Sequence, residues 1–276
     1  MSGEKIIPIL QRERIIEYIG EGKRFDGRKL DEYREMEVKM GISKNAESSC
    51  SVKFGKTEVY AGVKLAPATP YPDSQDEGTF MTSAELSPMS SEDFDLGPPK
   101  IDAIELARII DRGIRESGFI DFKKLCIKEG EKVWQVFLDI VTINDDGNLM
   151  DVAGLAAIVA LGNAKMPVYD AATNKMGHEL SKTHLPVERD AMAFSMTFHK
   201  INGTIVVDPT KEEEEVSDLR LTVAVADDGK GKPRITAMQK GKEGTLSEDD
   251  LAEILDLIEK KWKEMFPKVS KFVWGK

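Results

Sequence analysis

The sequence predicts an α+β fold, with mixed and antiparallel sheets covered by helices. Three observations lead there. Apolar residues alternate with a period of two in separate runs, at Cys50, Val52 and Phe54, at Val59, Ala61, Val63 and Leu65, and at Leu219, Leu221, Val223 and Val225. Helical spacing appears in Ile101–Ser117 and again beyond Leu251. The helical stretches do not alternate one for one with the strands, as a parallel βαβ array would require. With 276 residues and 41% hydrophobic content the chain can bury a sizeable core, as one large domain or two small ones.

Residues 5–22 read as a first helix, ended by Gly20 and Gly22. Gly55-Lys56 separates two alternating runs and suits a two-residue hairpin turn opened by glycine. Stretch 66–99 holds Pro67, Pro70, Pro72, Pro98 and Pro99, so it reads as mostly loop, with one strand near 80–86. Ile101, Ile104, Ala107, Ile110 and Ile114 give the next helix. Residues 133–143 are rich in β-branched side chains and fit a strand covered on both faces. The turn 145–148 ends it. A helix over 149–164 follows, in which Gly154, Ala156, Ala157 and Ala160 allow a neighbouring element to come close. After a polar stretch at 170–190, Asn202-Gly203 marks a hairpin between strands 193–201 and 204–208. Asp227-Asp228-Gly229 turns the 219–225 strand towards another at 235–240. Ser247 is the N-cap of the last helix, with Asp250 three residues on and the stripe Leu251, Ile254, Leu255, Ile258, Trp262 and Met265.

Charge and cysteine usage narrow the function. The 39 Lys+Arg against 49 Asp+Glu give a net charge of −10, which excludes a generally basic nucleic-acid coat but leaves room for a local basic patch. Cys50 and Cys126 form no CxxC pair and no disulfide framework, and read as free thiols in a reducing cytosol. Residues 1–8 lack a signal peptide's apolar run, and no stretch approaches the ~18 apolar residues of a membrane span. A cytoplasmic protein is expected.

Common catalytic signatures are missing: no GxxxxGK[ST], no strand-associated GxGxxG and no GxSxG occurs. His178, His184 and His199 lack metal-ligand spacing, so no metal and no cofactor are expected. Two features remain. Arg108, Arg112 and Arg115 are spaced by four and three residues, which puts them along one helix face. Such a row can track a phosphate backbone, or it can serve helical ion pairs with Glu105 and Asp111. The second feature is acidic, with Asp208 at a strand end followed by Glu212 to Glu215. Those carboxylates can hold Mg²⁺ or act as a general acid, or they can form a solvated loop.

Several stretches together resemble the RNase PH family of phosphorolytic exoribonucleases. Arg24-Phe25-Asp26-Gly27-Arg28, with Glu32 and Arg34, is similar to the family's opening, and Ser51 to Val59 to its first hairpin. Val206-Val207-Asp208-Pro209-Thr210-Lys211-Glu212-Glu213-Glu214 is similar to its Val-Asp-x-x-x-x-Glu-Asp segment. The likeness runs from residue 24 to about 260 and is nearest to the non-catalytic RNase PH-like subunits of the archaeal exosome. It implies a fold with a ribosomal protein S5 domain 2-like core: a helical extension at 1–23, then an RNase PH-like domain of two βα halves over 24–276. It also implies a hexameric ring of three heterodimers with a catalytic RNase PH-like partner. Single-stranded RNA would thread through the ring, and RNA-binding cap proteins would attend it.

The departures set the expected role. Active members carry Gly-(Ser/Thr)-Arg where this chain has Gly147-Asn148-Leu149, so the phosphate-binding cation is gone. Phosphorolysis holds an anion beside an anionic RNA phosphate, and loss of one such stabilising group typically costs on the order of 10²–10³ in rate. Glu214 replaces the family's second Asp, and Asp208 reads as a remnant or structural group. Arg108 and Arg112 match the helix positions from which such subunits contact RNA, with Arg115 one turn further. The expectation is a pseudoenzyme subunit with no catalytic residue of its own. A self-sufficient phosphorolytic exoribonuclease is the alternative. A small-molecule kinase on a similar scaffold is disfavoured by the missing glycine-rich loop.

Overall fold

Alternation in the sequence becomes two sheets with a layer of helices between them. The computed structural model describes residues 9–170 and 175–274. The first turn of the helix expected over 5–22 therefore lies outside the described residues, and α1 runs Ile9–Gly20. Strands β1 (Met36–Met40), β2 (Ser48–Phe54), β3 (Thr57–Ala68) and β4 (Thr79–Glu85) precede helix α2 (Ile101–Ser117). Short β5 (Cys126–Lys128) and long β6 (Lys132–Asn144) lead to α3 (Leu149–Gly162). The ribbon β7 (Lys165–Asp170) and β8 (Lys175–His184) is followed by β9 (Phe194–Ile201), β10 (Thr204–Val207) and α4 (Lys211–Val216). Strands β11 (Leu219–Asp227) and β12 (Pro233–Gly241) and helix α5 (Glu248–Trp274) complete the chain.

The first sheet has the order β1-β2-β3-β6-β4, antiparallel except for the parallel β4–β6 pair, with β5 attached to β6. The second runs β10-β9-β11-β12 and is antiparallel throughout. The turn between β9 and β10 has both Asn202 (φ 47°) and Gly203 (φ 84°) in the left-handed region, as an Asn-Gly hairpin requires.

Helix α3 is apolar on every side, and residues 151–162 are all buried, because it lies between the sheets, against β2 and β3 on one side and β9 on the other. Alternation along β9 then divides its side chains. Ser195 and Thr197 face α3, while Phe194 stacks on Trp262 of α5, with centroids 5.4 Å apart. Helix α2 lies beside α3, and its Leu106, Ile110 and Ile114 join the same core. The expected stripe of α5 is buried at Ile254, Ile258, Trp262 and Met265, and Ser247 caps it, since its hydroxyl accepts from the Asp250 N–H at 3.1 Å.

Four elements differ from expectation. β6 is buried along one face only, at Val136, Leu138 and Ile140, with Asp139 exposed on the other, so it is not covered on both faces. β1 is a strand the reading left unassigned, although Met36, Val38 and Met40 alternate. The polar stretch at 170–190 carries most of the β7–β8 ribbon, whose exposed faces hide the usual apolar alternation; its residues 171–174 lie outside the described residues. The acidic run, read as a strand end and loop, begins as helix α4. Thr210 and Glu213 form a reciprocal capping box there.

Candidate functional site

The opening arginines and the Asp208 segment lie far apart in sequence, and the fold locks them together. Asp208 follows β10 with φ 48° and is fully buried. Its carboxylate accepts from Arg28 Nη1 at 2.9 Å, from the Arg34 backbone N–H at 2.7 Å, and from Arg34 Nη2 at 2.8 Å and Nε at 3.0 Å. Asn148 Nδ2 adds a fifth bond at 2.7 Å. Arg24 pairs with Glu213 in full burial and donates to the carbonyls of Val207 and Asp208. Burial works to raise the Asp208 carboxyl, but the hydrogen bonds and charge of Arg34 outweigh it and hold the group below the ordinary range. Asp208 is thus a buried, inward-facing carboxylate held by five hydrogen bonds.

The turn before α3 closes onto this anchor. Gly147 has φ 85°, and a Cβ there would lie 2.6 Å from the Pro209 carbonyl oxygen, so only glycine lets the turn sit against the start of α4. Arg34 ties the two together by donating to the Asp146 and Gly147 carbonyls at 2.8 and 3.0 Å. Asn148 occupies the left-handed region, at φ 59°, and links both acidic positions. Its side chain donates to Asp208, and its backbone N–H donates to Glu214 Oε1 at 2.8 Å. Burial raises the Glu214 carboxyl above its ordinary range, against the pull of that N–H. One turn into α3, Asp151 accepts from Thr197 Oγ1 at 2.7 Å and from Tyr33 Oη at 3.2 Å. Burial pushes its carboxyl up to about 7 despite the Thr197 and Asn148 bonds.

Glu214, unlike Asp208, borders a cleft of about 310 Å³. Leu149 lies in its wall with Leu86, Leu106 and Met150. The cleft's own cations are committed. Lys211 pairs with Asp145, Arg220 Nη2 bonds Glu105 at 2.5 Å, and Lys242 donates to Ser217 Oγ at 2.7 Å and to the Glu214 carbonyl. The two acidic positions of the family segment therefore do not converge on one open point.

The arginine row lies on the outer face of α2, between a groove of about 550 Å³ against β12 and one of about 510 Å³ against β4. Arg108 is exposed and has no ion-pair partner among the described residues, because Glu105 turns to Arg220 instead. Arg112 is paired loosely with Glu116, at 3.5 Å, and both side chains are more than half exposed, a contact worth little in water. Arg115 differs. It bonds Asp111 at 2.6 Å and the Phe80 carbonyl at 2.5 Å, and lies over the Phe80 and Phe122 rings. Ile101, Ile104 and Met81 are exposed along the same face.

Reading the sequence by residue type passed over Asn148, Asp151, Arg220 and Lys242. Only Asp151 left a signal, as a lone carboxylate inside an otherwise apolar helix, where a buried charge must find partners.

Comparison with known proteins agrees with this architecture. Residues 32–167 match the model of the 3′ exoribonuclease family, domain 1, and residues 191–260 that of domain 2. The chain belongs to this family, whose domain models carry the name RNase PH. It is 42% identical to the exosome complex component Rrp42 of Methanocella arvoryzae, over 94% of this chain and 95% of that one. The component of the same name from Thermococcus kodakarensis is 39% identical, over 99% of both chains. Among solved structures, a chain of the Archaeoglobus fulgidus exosome with RNA bound to the active site superposes with a TM-score of 0.84 at 41% identity, covering 94% of this chain and 98% of that one. Rice Rrp46, at 16% identity over 91% of this chain and 97% of its own, shares the fold with a TM-score of 0.66.

Proposed function

We propose that this chain is a non-catalytic subunit of an exosome-type ring that degrades RNA from its 3′ end with phosphate as the attacking group. In this reading it alternates with a catalytic RNase PH-like partner in three heterodimers, works in the cytoplasm, and receives RNA through cap proteins. The observation that carries the reading is the state of the family's acidic site. Asp208 is spent on Arg28, Arg34 and Asn148, and an aliphatic Leu149 stands where an attacking phosphate needs a cation. A phosphate brought beside RNA there would meet carboxylates and no uncommitted positive group among the described residues.

What the chain contributes is architecture and grip. Arg108 and Arg112 offer exposed guanidinium groups on a rigid helix, suited to the phosphates of a single strand entering the partner's site. Arg115 extends the row, with one side held to β4. Phe80 lines the groove beside Arg108 and Arg112, but it is buried and covered by Arg115, so the hold is electrostatic and tolerant of sequence.

The test is reconstitution. The isolated chain leaves RNA intact in the presence of phosphate, and adding the catalytic partner starts decay. The ring with Arg108→Glu and Arg112→Glu assembles but degrades RNA at least about tenfold more slowly, a deficit of about 1.4 kcal/mol. Normal decay by that ring removes the arginine assignment. Release of nucleoside diphosphates by the isolated chain replaces the whole reading with a self-sufficient enzyme.

A further inference from the structure

The cleft beside Glu214 holds a buried imidazole nitrogen with no hydrogen-bond partner among the described residues, next to a carboxylate whose one recorded donor is the Asn148 N–H. His199 is 1% exposed, and its Nδ1 lies 2.9 Å from Ser217 Oγ. Ser217 Oγ is also 2.8 Å from the Glu214 carbonyl oxygen and accepts from Lys242 at 2.7 Å. With the single hydroxyl hydrogen on that carbonyl, the remaining bond is donated by His199 Nδ1–H and Nε2 keeps a bare lone pair. That nitrogen has no hydrogen-bond partner among the described residues, and it lies 3.7 Å from Glu214 Oε1. In that arrangement two acceptors lie side by side with no hydrogen between them. Burial holds the imidazole neutral, with Lys242 and Arg220 acting in the same direction.

We propose that this cleft binds a linear alkylammonium ligand, a diamine or polyamine, through His199 Nε2 and the Glu214 carboxylate. A group carrying several N–H bonds can reach both acceptors at once. The resident cations do not fill that place, since Lys211, Arg220 and Lys242 are bonded elsewhere. A single water is too small an answer, because the cleft's 310 Å³ is several times a water's share of about 30 Å³. A metal ion fits poorly, because among the described residues no three His, Cys, Asp or Glu side chains come together to hold one. The wall of Leu86, Leu106, Leu149 and Met150 suits methylene groups rather than a hydrated ion. An anion would find Lys211, Arg220 and Lys242 already bonded to other groups and Glu214 and Asp145 in the same wall. The inference stands on the cleft alone, whether or not the chain works in a ring.

Calorimetric titration of the full chain with 1,4-diaminobutane tests it, with magnesium chloride and inorganic phosphate as competitors. The expected result is saturable one-to-one binding with Kd below about 1 mM. The ¹⁵N resonance of His199 Nε2 should move on binding as its lone pair accepts a hydrogen. Glu214→Gln should weaken binding at least about tenfold. Should that variant fail to fold, the His199 resonance of the unsubstituted chain decides. Absence of binding, displacement by phosphate or magnesium at equal concentration, unchanged affinity in Glu214→Gln, or a stationary His199 resonance would each overturn the proposal.

Discussion

Asp208 shows how a side chain can keep its place in a sequence pattern while its chemistry is spent on structure. Five hydrogen bonds converge on one buried carboxylate, three of them from the side chains of Arg28 and Arg34. Removing its charge leaves Arg28 with only Asp26, and Arg34 with only a 3.4 Å contact to Asp146, as carboxylate partners among the described residues, so Asp208→Asn should cost about 3 kcal/mol. Urea unfolding measures this, and a loss under about 1 kcal/mol would show the pairing to be incidental. Asp151 carries the opposite sign. Its carboxyl ionises near 3.9 in an unfolded chain but keeps its proton up to about 7 in the fold. Its contribution to stability is complete below the lower value and drains away as pH climbs through the upper one. Asp151→Asn should therefore flatten the fall in stability between about pH 4 and 7, measured against the parent chain. An unchanged slope would place the titration elsewhere.

At the scale of elements, period and turn chemistry made most of the fold legible. The hairpins at Gly55 and Asn202-Gly203, the α2 limits and the α5 cap follow from local signals that tertiary structure did not override. The β7–β8 ribbon is hidden because its exposed positions carry apolar side chains, among them Val168 and Leu180, which blur the alternation; β1 alternates cleanly at Met36, Val38 and Met40 but spans only five residues. The capping box of Thr210 and Glu213 was written in the sequence, but the acidic run drew attention to charge instead. The site was legible only in part. Asp208, Glu214 and the arginines could be named, yet nothing local says that Asp208 turns inward, because its partners Arg28, Arg34 and Asn148 lie 180, 174 and 60 residues away. Small residues in α3 were read as permitting close approach, and the structure gives the measure. A Cβ on Gly154 would lie 2.8 Å from Ser195 Oγ. Gly154→Leu should force α3 away from β9 and destabilise the chain by about 1–3 kcal/mol or more; a thermal midpoint equal to the parent's would contradict that packing.

For the whole molecule, the distribution of charge matters more than its total. A chain of net −10 repels RNA over most of its surface, which confines useful contact to places where cations are left uncommitted. Arg108 and Arg112 are such a place, whereas the arginines at 24, 28 and 34 are consumed by folding. Each phosphate contact on single-stranded nucleic acid contributes about −0.7 to the slope of log affinity against log salt. The double variant of the ring should therefore flatten that slope by about 1.4 as well as slow decay.

Helix α3 touches both sheets at once, and neither can shed it without baring a row of Ala, Val and Leu to water. The molecule has no seam along which to come apart in stages. Heat or denaturant should dismantle it in a single cooperative event, and a chain severed after α3 should leave both pieces sticky and short-lived.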